Sequence, residues 1–548
     1  MNFALIIINL FITYVMFASG VIKAEEFKLD YASAKPAALP PIETVGSKFF
    51  SSETGEQFFI KGIAYQPQYS LEDVSSLGIP ISDTKYIDPL ASPAICLRDI
   101  PHLAELGVNT IRVYAIDPTQ SHDVCMEALM ENGIYVLLDL SEPDASISRE
   151  SPSWDVNVYQ RYKDVIDAMH QYSNVLGFFA GNEVTNDRTN TDASPFVKAS
   201  IRDMKEHIKD MNYRAIPIGY STNDDVETRE NLAQFFSCGN DTADFYGINM
   251  YEWCGYSSFH SSGFDKRTQE FKNYPIPVFF SEFGCNLVRP RPFTEVEALY
   301  SKQMSGVWSG GLAYMYFEEE NQYGLVEIDS KNRVVRLKDY DYLRDEFNKS
   351  EPKGITKSEY LRRLGLNTGG PITKRECPSI SVAWKAAEKL PDKPEKSKCD
   401  CLTNALPCLV TPFSDRSKYR EYFEYVCGQV DCSDIKADGE NGEYGEYSGC
   451  TPDQKLALQI SKMYFNLAEQ NDICPVDDRH IYFNRDSKND QNDKECTSLI
   501  RSVQKTSKAR KTDNKSLNPS KDHTSSGSHI VPKFVMGLAF VILTGSIV

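Results

Sequence analysis

The sequence predicts an α/β chain: a closed (β/α)8 TIM barrel followed by a small, disulfide-rich, mainly α domain. Three observations predict it. From about Phe49 to Phe317, eight short β-rich apolar runs alternate with longer stretches of helical periodicity. Near-continuous apolar strands joined by helical crossovers form a parallel sheet covered on both faces, and eight repeats over this length suit a closed barrel better than an open doubly wound sheet. Beyond them, eight of the 14 cysteines fall between Cys399 and Cys496, the density of a domain whose core is too small to hold it without staples.

The strands are expected at Phe58–Gln66, Thr110–Ala115, Tyr135–Asp139, Val175–Ala180, Ala215–Gly219, Phe245–Met250, Pro277–Glu282 and Leu312–Phe317. Between them, Asp123–Asn132 reads as a helix stopped by Gly133. Asp155–Tyr172 reads as another, with Val158, Tyr162, Ile166 and Met169 recurring at helical spacing. Neither a Rossmann nor a P-loop glycine pattern follows the first strand, which argues against nucleotide binding. Tyr340–Phe347 is a candidate closing helix, and Pro452–Gln470 a helix of the second domain. The expected domains are a signal peptide at 1–24, the barrel at 25–350, a linking segment packed on it at 351–398 and a cysteine-rich module at 399–500. A Ser/Lys-rich stalk at 501–525 and a removed anchor signal at 526–548 follow.

Composition narrows the function classes. With 59 Lys and Arg against 77 Asp and Glu, the net charge of −18 argues against a nucleic-acid partner, which needs a basic footprint. A chain 41% hydrophobic and 11% aromatic, with 30 tyrosines, can bury a large core, and that balance is common among proteins that handle neutral polymers.

Both termini read as addresses. The apolar run Phe3–Phe17, followed by Ala18, Ser19, Gly20 and Ala24, has the length of a secretory signal, although no Lys or Arg precedes it. The last fifteen residues, Phe534–Val548, are uncharged and mostly apolar. With small residues at Ser525–Ser528 upstream, they match a GPI-anchor signal whose attachment residue is Ser525 or Ser526. The expected location is the outer leaflet of the plasma membrane, or the wall beyond it, reached through the secretory pathway. The membrane is touched only through the anchor, and a monomer is assumed. An oxidising compartment suits 14 cysteines as disulfides, and their spacings do not form the paired C-x2-C pattern of zinc ribbons. Asn240, Asn348 and Asn514 are glycosylation sequons.

Chemistry in such a barrel belongs at the C-terminal ends of the strands. The third strand ends at Asp139, the fourth runs into Asn182-Glu183, the sixth into Asn249-Met250-Tyr251, and the seventh into Ser281-Glu282. A lone carboxylate after a strand usually pairs with an arginine. Two at one rim are the equipment for glycosidic bond cleavage: one protonates the leaving oxygen, and the other attacks or activates water.

Three runs carry a resemblance: Gly181-Asn182-Glu183-Val184, Tyr251-Glu252-Trp253-Cys254-Gly255 and Ser281-Glu282-Phe283-Gly284-Cys285-Asn286. Together they resemble the fungal GPI-anchored β-1,3-glucanosyltransferases of glycoside hydrolase family 72, over about Val45 to Cys496. The resemblance implies Glu183 as general acid/base and Glu282 as nucleophile of a retaining reaction that transfers β-1,3-glucan between chains, with donor and acceptor glucans as partners. No cofactor and no metal are expected, since the carboxylate pair supplies both proton transfer and nucleophile and the sequence puts no His/Cys ligand cluster on the barrel rim. By the same comparison Tyr114, Asp139, Asn182, Asp224, Arg229 and Tyr314 contact sugar, as do Ser141, Glu142, Asp144 and Arg149 of the loop after the third strand. Gln66 and Tyr251 are further candidates.

Each of these has a structural alternative. The tyrosines can be rim or core aromatics, Arg229 a partner of Asp225, and Asp139 the orienter of Arg112. The resemblance also implies the bridges Cys96–Cys125, Cys254–Cys285, Cys238–Cys377, Cys399–Cys450, Cys401–Cys496, Cys408–Cys474 and Cys427–Cys432. It makes the second domain a glucan-binding type of module, against the alternative of a scaffold. A β-1,3-glucan hydrolase with the same two glutamates, and a non-catalytic glucan-binding surface protein, are the rival functions.

Overall fold

The computed structural model describes residues 38–68, 86–365 and 375–503, with short interruptions at 416, 468–470, 489–495, 497, 500 and 502. The signal peptide, Asn514, the stalk and the anchor residues Ser525 and Ser526 lie outside the described residues. Among the described residues no helix is long and apolar enough to cross a membrane.

The chain forms two compact units. The first contains a small antiparallel sheet, β1 (Ile42–Val45), β2 (Lys48–Ser51) and β3 (Gln57–Phe58). Eight parallel strands follow: β4 (Ile60–Ala64), β5 (Thr110–Val113), β6 (Tyr135–Asp139), β7 (Val175–Asn182), β8 (Ile218–Asn223), β9 (Tyr246–Cys254), β10 (Val278–Cys285) and β11 (Trp308–Ala313). They close into a barrel in which β11 pairs with β4. The helices between them are α1 (Pro93–Leu106), α2 (Asp123–Glu131), α3 (Val156–Met169), α4 (Ser194–Asp210), α5 (Arg229–Phe236), α6 (Phe264–Phe271) and α7 (Glu295–Leu299). The helix α8 (Lys338–Lys349) follows the last strand.

Local chemistry sets these boundaries. The Asp155 carboxylate caps α3 by accepting from the backbone N–H groups of Asn157 and Val158, which satisfies donors the first turn leaves open. The stripe Val158, Tyr162, Ile166 and Met169 is buried against the barrel, as its spacing predicts. Gly107 ends α1 in the left-handed region, at φ 81°.

Phe49 of β2 is fully buried, with ring centroids 6.2 and 6.0 Å from Phe245 and Phe279. Together with Ile42, Ile60, Tyr135, Leu137, Leu176, Phe179 and Leu312 these side chains fill the barrel interior. Packing of this kind makes the barrel a solid core and leaves the C-terminal mouth as the place for a site.

The expected Phe58–Gln66 strand divides, with Phe58 in the small sheet and Ile60–Ala64 in the barrel, and two strands depart further from the sequence expectation. The last runs Trp308–Ala313, four residues earlier than expected, because Ser309-Gly310-Gly311 looks like a break in an apolar pattern. Gly310 is there for closeness: at φ +96° its backbone lies so near β4 that a Cβ would sit 2.1 Å from the Ile60 carbonyl oxygen. The fifth barrel strand runs Ile218–Asn223 rather than Ala215–Gly219. Its polar end, Ser221-Thr222-Asn223, is strand because Ser221 and Thr222 are buried in the mouth.

The first unit also holds the strap before Asp400 and the segment Cys432–Lys455. Ala387 donates its N–H to Gly439 at 2.8 Å, and Val156 to Gly449 at 2.9 Å. Disulfides join Cys96 to Cys125, Cys238 to Cys377, Cys254 to Cys285 and Cys399 to Cys450 within this unit. The second unit comprises Cys401–Asp431 and the chain from Leu456. Its strands Cys408–Val410 and Ile481–Phe483 pair antiparallel, and bridges join Cys401 to Cys496 and Cys408 to Cys474. Cys427 and Cys432 are also disulfide-bonded.

Candidate active site

Six barrel strands deliver polar side chains to one mouth, and Arg112 of β5 organises them. Its guanidinium is fully buried and forks onto Asp139 of β6, with Nε and Nη2 each 2.9 Å from a carboxylate oxygen. Nη2 also donates to Asn182 Oδ1 at 3.0 Å, and Nη1 stands 3.5 Å from Glu282 Oε1. Phe179 and Tyr114 flank the cation, with ring centroids at 4.2 and 4.5 Å. Burial works against this charge, but Asp139, Tyr114 and Glu282 outweigh it and push the Arg112 pKa up. Burial pushes the Asp139 carboxyl up from its ordinary value, and Arg112 opposes that.

Glu282 of β10 is 9% exposed. The Tyr114 hydroxyl donates to its Oε1 at 2.8 Å, and the Tyr251 hydroxyl to its Oε2 at 2.9 Å. Burial raises its pKa above the ordinary glutamate value. Arg112 and then the two hydroxyls pull it back down, and the nearby charge of Glu183 adds to the rise. The result is an oriented carboxylate whose lone pairs are fixed by neutral donors and one cation.

Glu183 follows β7 with φ 49°, a left-handed conformation that costs a non-glycine residue on the order of 1 kcal/mol. Three contacts hold it there. Its N–H donates to Ser221 O at 2.9 Å, its carbonyl accepts from Arg149 Nη2 at 2.6 Å, and its Oε1 accepts from Asn249 Nδ2 at 2.8 Å. Asn249 is aimed in turn by the Ser221 and Ser281 hydroxyls, which donate to its Oδ1 at 3.2 and 2.8 Å. Turning the backbone at Glu183 sends its carboxylate into the mouth rather than along the strand.

Four tyrosine rings line this mouth. Tyr114 and Tyr314 meet edge to face at 6.5 Å, Tyr314 and Tyr323 at 5.4 Å, and Tyr251 and Tyr323 at 5.9 Å.

The structure thus gathers Glu183, Glu282, Asn182, Tyr114, Asp139, Tyr251 and Tyr314, and draws Arg149 in through the Glu183 carbonyl. Gln66 is engaged in holding backbone: its Oε1 accepts from the N–H groups of Tyr114 and Ala115, and its Nε2 donates to Ile87 O. Glu142 accepts from the Tyr86 hydroxyl at 2.8 Å and pairs with Arg161 at 3.2 Å. Ser141 is half-buried and Asp144 exposed in the same loop. Arg229 pairs with Asp224 at 2.9 Å and stands 3.6 Å from Glu252, whose carboxyl is pushed up by burial and by Asp224. Asp225 instead accepts from the N–H groups of Glu227 and Thr228. The sequence alone assigns no site role to Asn249 or Tyr323, and it offers Arg112 only as a partner of Asp139. A cation inside the apolar run Ile111-Arg112-Val113 and an amide inside Ile248-Asn249-Met250 were the signals available.

A closed barrel with two carboxylates at its C-terminal mouth, one aimed by an amide and one by tyrosines, defines a glycosidase-type enzyme. The chain belongs to the glucanosyltransferase family: residues 31–351 match the family described as Glucanosyltransferase, and residues 406–481 match the X8 domain. It is 62% identical to 1,3-beta-glucanosyltransferase GAS2 of Saccharomyces cerevisiae over 82% of this chain and 80% of that protein. It is 49% identical to pH-responsive protein 1 of Candida albicans over 80% and 79% of the two chains. Among solved structures, a point mutant of S. cerevisiae Gas2p in complex with laminaritetraose and laminaripentaose matches with a TM-score of 0.78. That match is at 59% identity, over 85% of this chain and 99% of the other.

Proposed function

We propose that this protein is a β-1,3-glucanosyltransferase that cuts a β-1,3-glucan internally and joins the retained segment to the non-reducing end of another chain. The observation that carries the reading is the pair Glu183 and Glu282 at one mouth, each held by neutral donors. In the first step Glu282 attacks the anomeric carbon while Glu183 gives its proton to the glycosidic oxygen, and the reducing-end fragment leaves. In the second, Glu183 takes the proton of an acceptor 3-hydroxyl as that oxygen displaces Glu282, so configuration is retained. Such pairs stand about 5–5.5 Å apart.

Asn182, fixed by Arg112, offers its amide to the 2-hydroxyl of the reacting sugar, a contact that strengthens as oxocarbenium character develops. Asp139 keeps Arg112 in place, and Arg112 keeps part of the negative charge on Glu282. The rings of Tyr114, Tyr251, Tyr314 and Tyr323 present flat faces to sugar rings, and they favour transfer by holding an acceptor in line long enough to beat water. Asp224, Arg229 and the loop of Ser141, Glu142, Asp144 and Arg149 extend the sugar-contacting surface. No cofactor enters, because the two carboxylates supply both proton transfer and nucleophile.

The same reading makes the protein a surface enzyme. Its signal is removed near residue 24, a GPI anchor is attached at Ser525 or Ser526, and Asn240, Asn348 and Asn514 carry glycans. The cysteine-rich module is an accessory that binds glucan. The test is incubation of the full chain with a reduced β-1,3-gluco-oligosaccharide beside Glu183→Gln, with products sized by mass spectrometry. Products longer than the input, absent with Glu183→Gln, are expected. Shorter products alone mean a hydrolase, and unchanged substrate in both samples means a binding protein.

A further inference from the structure

Two large apolar side chains of the first unit, Tyr256 and Leu287, are each 83% exposed. They stand on adjacent loops at the mouth: Tyr256 follows Tyr251 by five residues, and Leu287 follows Glu282 by five. The disulfide Cys254–Cys285 ties the two loops together. Gly255, at φ 64°, lets Val288 close in, since a Cβ there would lie 2.7 Å from that side chain.

These loops are built to stay put. Trp253 Nε1 and the Thr294 hydroxyl both donate to Gly255 O, at 3.1 and 2.9 Å. Asn286 Nδ2 donates to Asn321 O at 2.9 Å, two residues before Tyr323, whose ring belongs to the aromatic wall of the mouth. The loop that carries Leu287 is therefore hydrogen-bonded to the segment that leads into Tyr323. Gly255-Tyr256-Ser257-Ser258 and Cys285-Asn286-Leu287-Val288 carry no charge, and the charges that flank them are matched: Arg289 pairs with Glu318 at 3.2 Å, and Glu252 stands 3.6 Å from Arg229.

A stapled loop holds its backbone in place when a chain binds, and a rigid aromatic ring gives up little entropy on contact. Apolar side chains with no unmatched charge beside them suit the C–H faces of a neutral sugar chain. We propose that Tyr256, with Leu287 and Val288 beside it, is a distal platform for β-1,3-glucan. It holds sugars of a chain that runs out of the mouth past Tyr251 and Tyr323, and it makes the enzyme prefer long chains. This inference rests on the glucan reading above.

The test compares kcat and KM for elongation by the full chain on reduced β-1,3-gluco-oligosaccharides of increasing length. Tyr256→Ala, Leu287→Ala and Tyr256→Phe are assayed, with Val382→Ala, 82% exposed on the strap, as the remote control. Tyr256→Ala is expected to raise KM about three- to tenfold on the longest chains, with kcat nearly held, and progressively less on shorter ones. Tyr256→Phe keeps the wild-type length preference. An equal change at every length, or none on the longest, overturns the platform while leaving the enzyme reading intact. A wild-type chain inactive on every length overturns both. Should Tyr256→Ala fail to fold, Leu287→Ala carries the same test at an exposed position.

Discussion

Asn249 gives its Nδ2–H to Glu183 Oε1 at 2.8 Å, and its own Oδ1 is pinned by the hydroxyls of Ser221 and Ser281. One amide thus fixes the carboxylate proposed as the acid/base, and it does so through residues of β8, β9 and β10. Replacing Asn249 with Ala frees the Glu183 side chain and leaves the Ser221 and Ser281 hydroxyls, 2.8 Å apart, with only each other to donate to, so that one of the two is short of an acceptor. The expected outcome is a fall in kcat of about 10- to 100-fold with a smaller change in KM, read from initial rates of transfer.

The hydroxyls on Glu282 are separable from the rings that carry them. Tyr114→Phe and Tyr251→Phe each keep the aromatic wall and remove one donor to the carboxylate. Burial already raises the Glu282 pKa, and these donors lower it, so each substitution raises it further. As the proposed nucleophile Glu282 must be ionised to attack, so the acidic limb of the kcat/KM profile is expected to move to higher pH in each variant. A profile measured from pH 3 to 8 checks the direction.

How far the site was legible in the sequence follows from what each residue does. Glu183 and Glu282 stand out because a carboxylate after an apolar strand needs a reason. The apolar runs of β6 and β7 and the stripe of α3 are legible because burial on both faces writes itself as continuous or periodic hydrophobicity. Gly310 misled, since a glycine needed for close strand approach has the same letter as one that ends a strand. Phe49 lay before the first expected strand, and nothing local says that it plugs a barrel. Tyr323 reaches the mouth from a loop after the last strand, so only three-dimensional closure brings it to Tyr251. Gln66 shows the converse: it lies beside the site in sequence, and its amide is engaged in holding the backbone of Tyr114.

Glu295 provides a pH test of barrel stability away from the chemistry. It is 4% exposed on α7, and burial pushes its carboxyl up to about 7. A folded-state pKa above the unfolded one means that the native state binds the proton more tightly. The stability it contributes is present below the unfolded value and is lost as pH rises through about 7. Glu295→Gln, which stays neutral, is expected to have the higher Tm above pH 7 and a flatter dependence of Tm on pH between about 4.5 and 7. Differential scanning calorimetry across that range measures it.

The bridge Cys254–Cys285 closes a loop of 31 residues and fixes the segments after Tyr251 and Glu282. Replacing both cysteines with Ala is expected to cost about 3–4 kcal/mol of stability by loop-closure entropy. Activity should fall further than the loss of folded protein explains, because Tyr251 is no longer held against Glu282. Thermal melts and transfer rates per folded molecule separate the two effects.

The most direct measurement is to trap the covalent intermediate. Glu183→Gln is incubated with a β-1,3-gluco-oligosaccharyl fluoride, whose leaving group needs no protonation, then digested and mapped by mass spectrometry. The expected result is a glycosyl group esterified to Glu282 on the peptide containing Ser281-Glu282-Phe283. Sugar found on any other carboxylate, or a stoichiometric reaction that leaves Glu282 unmodified, would contradict the assignment of Glu282 as nucleophile.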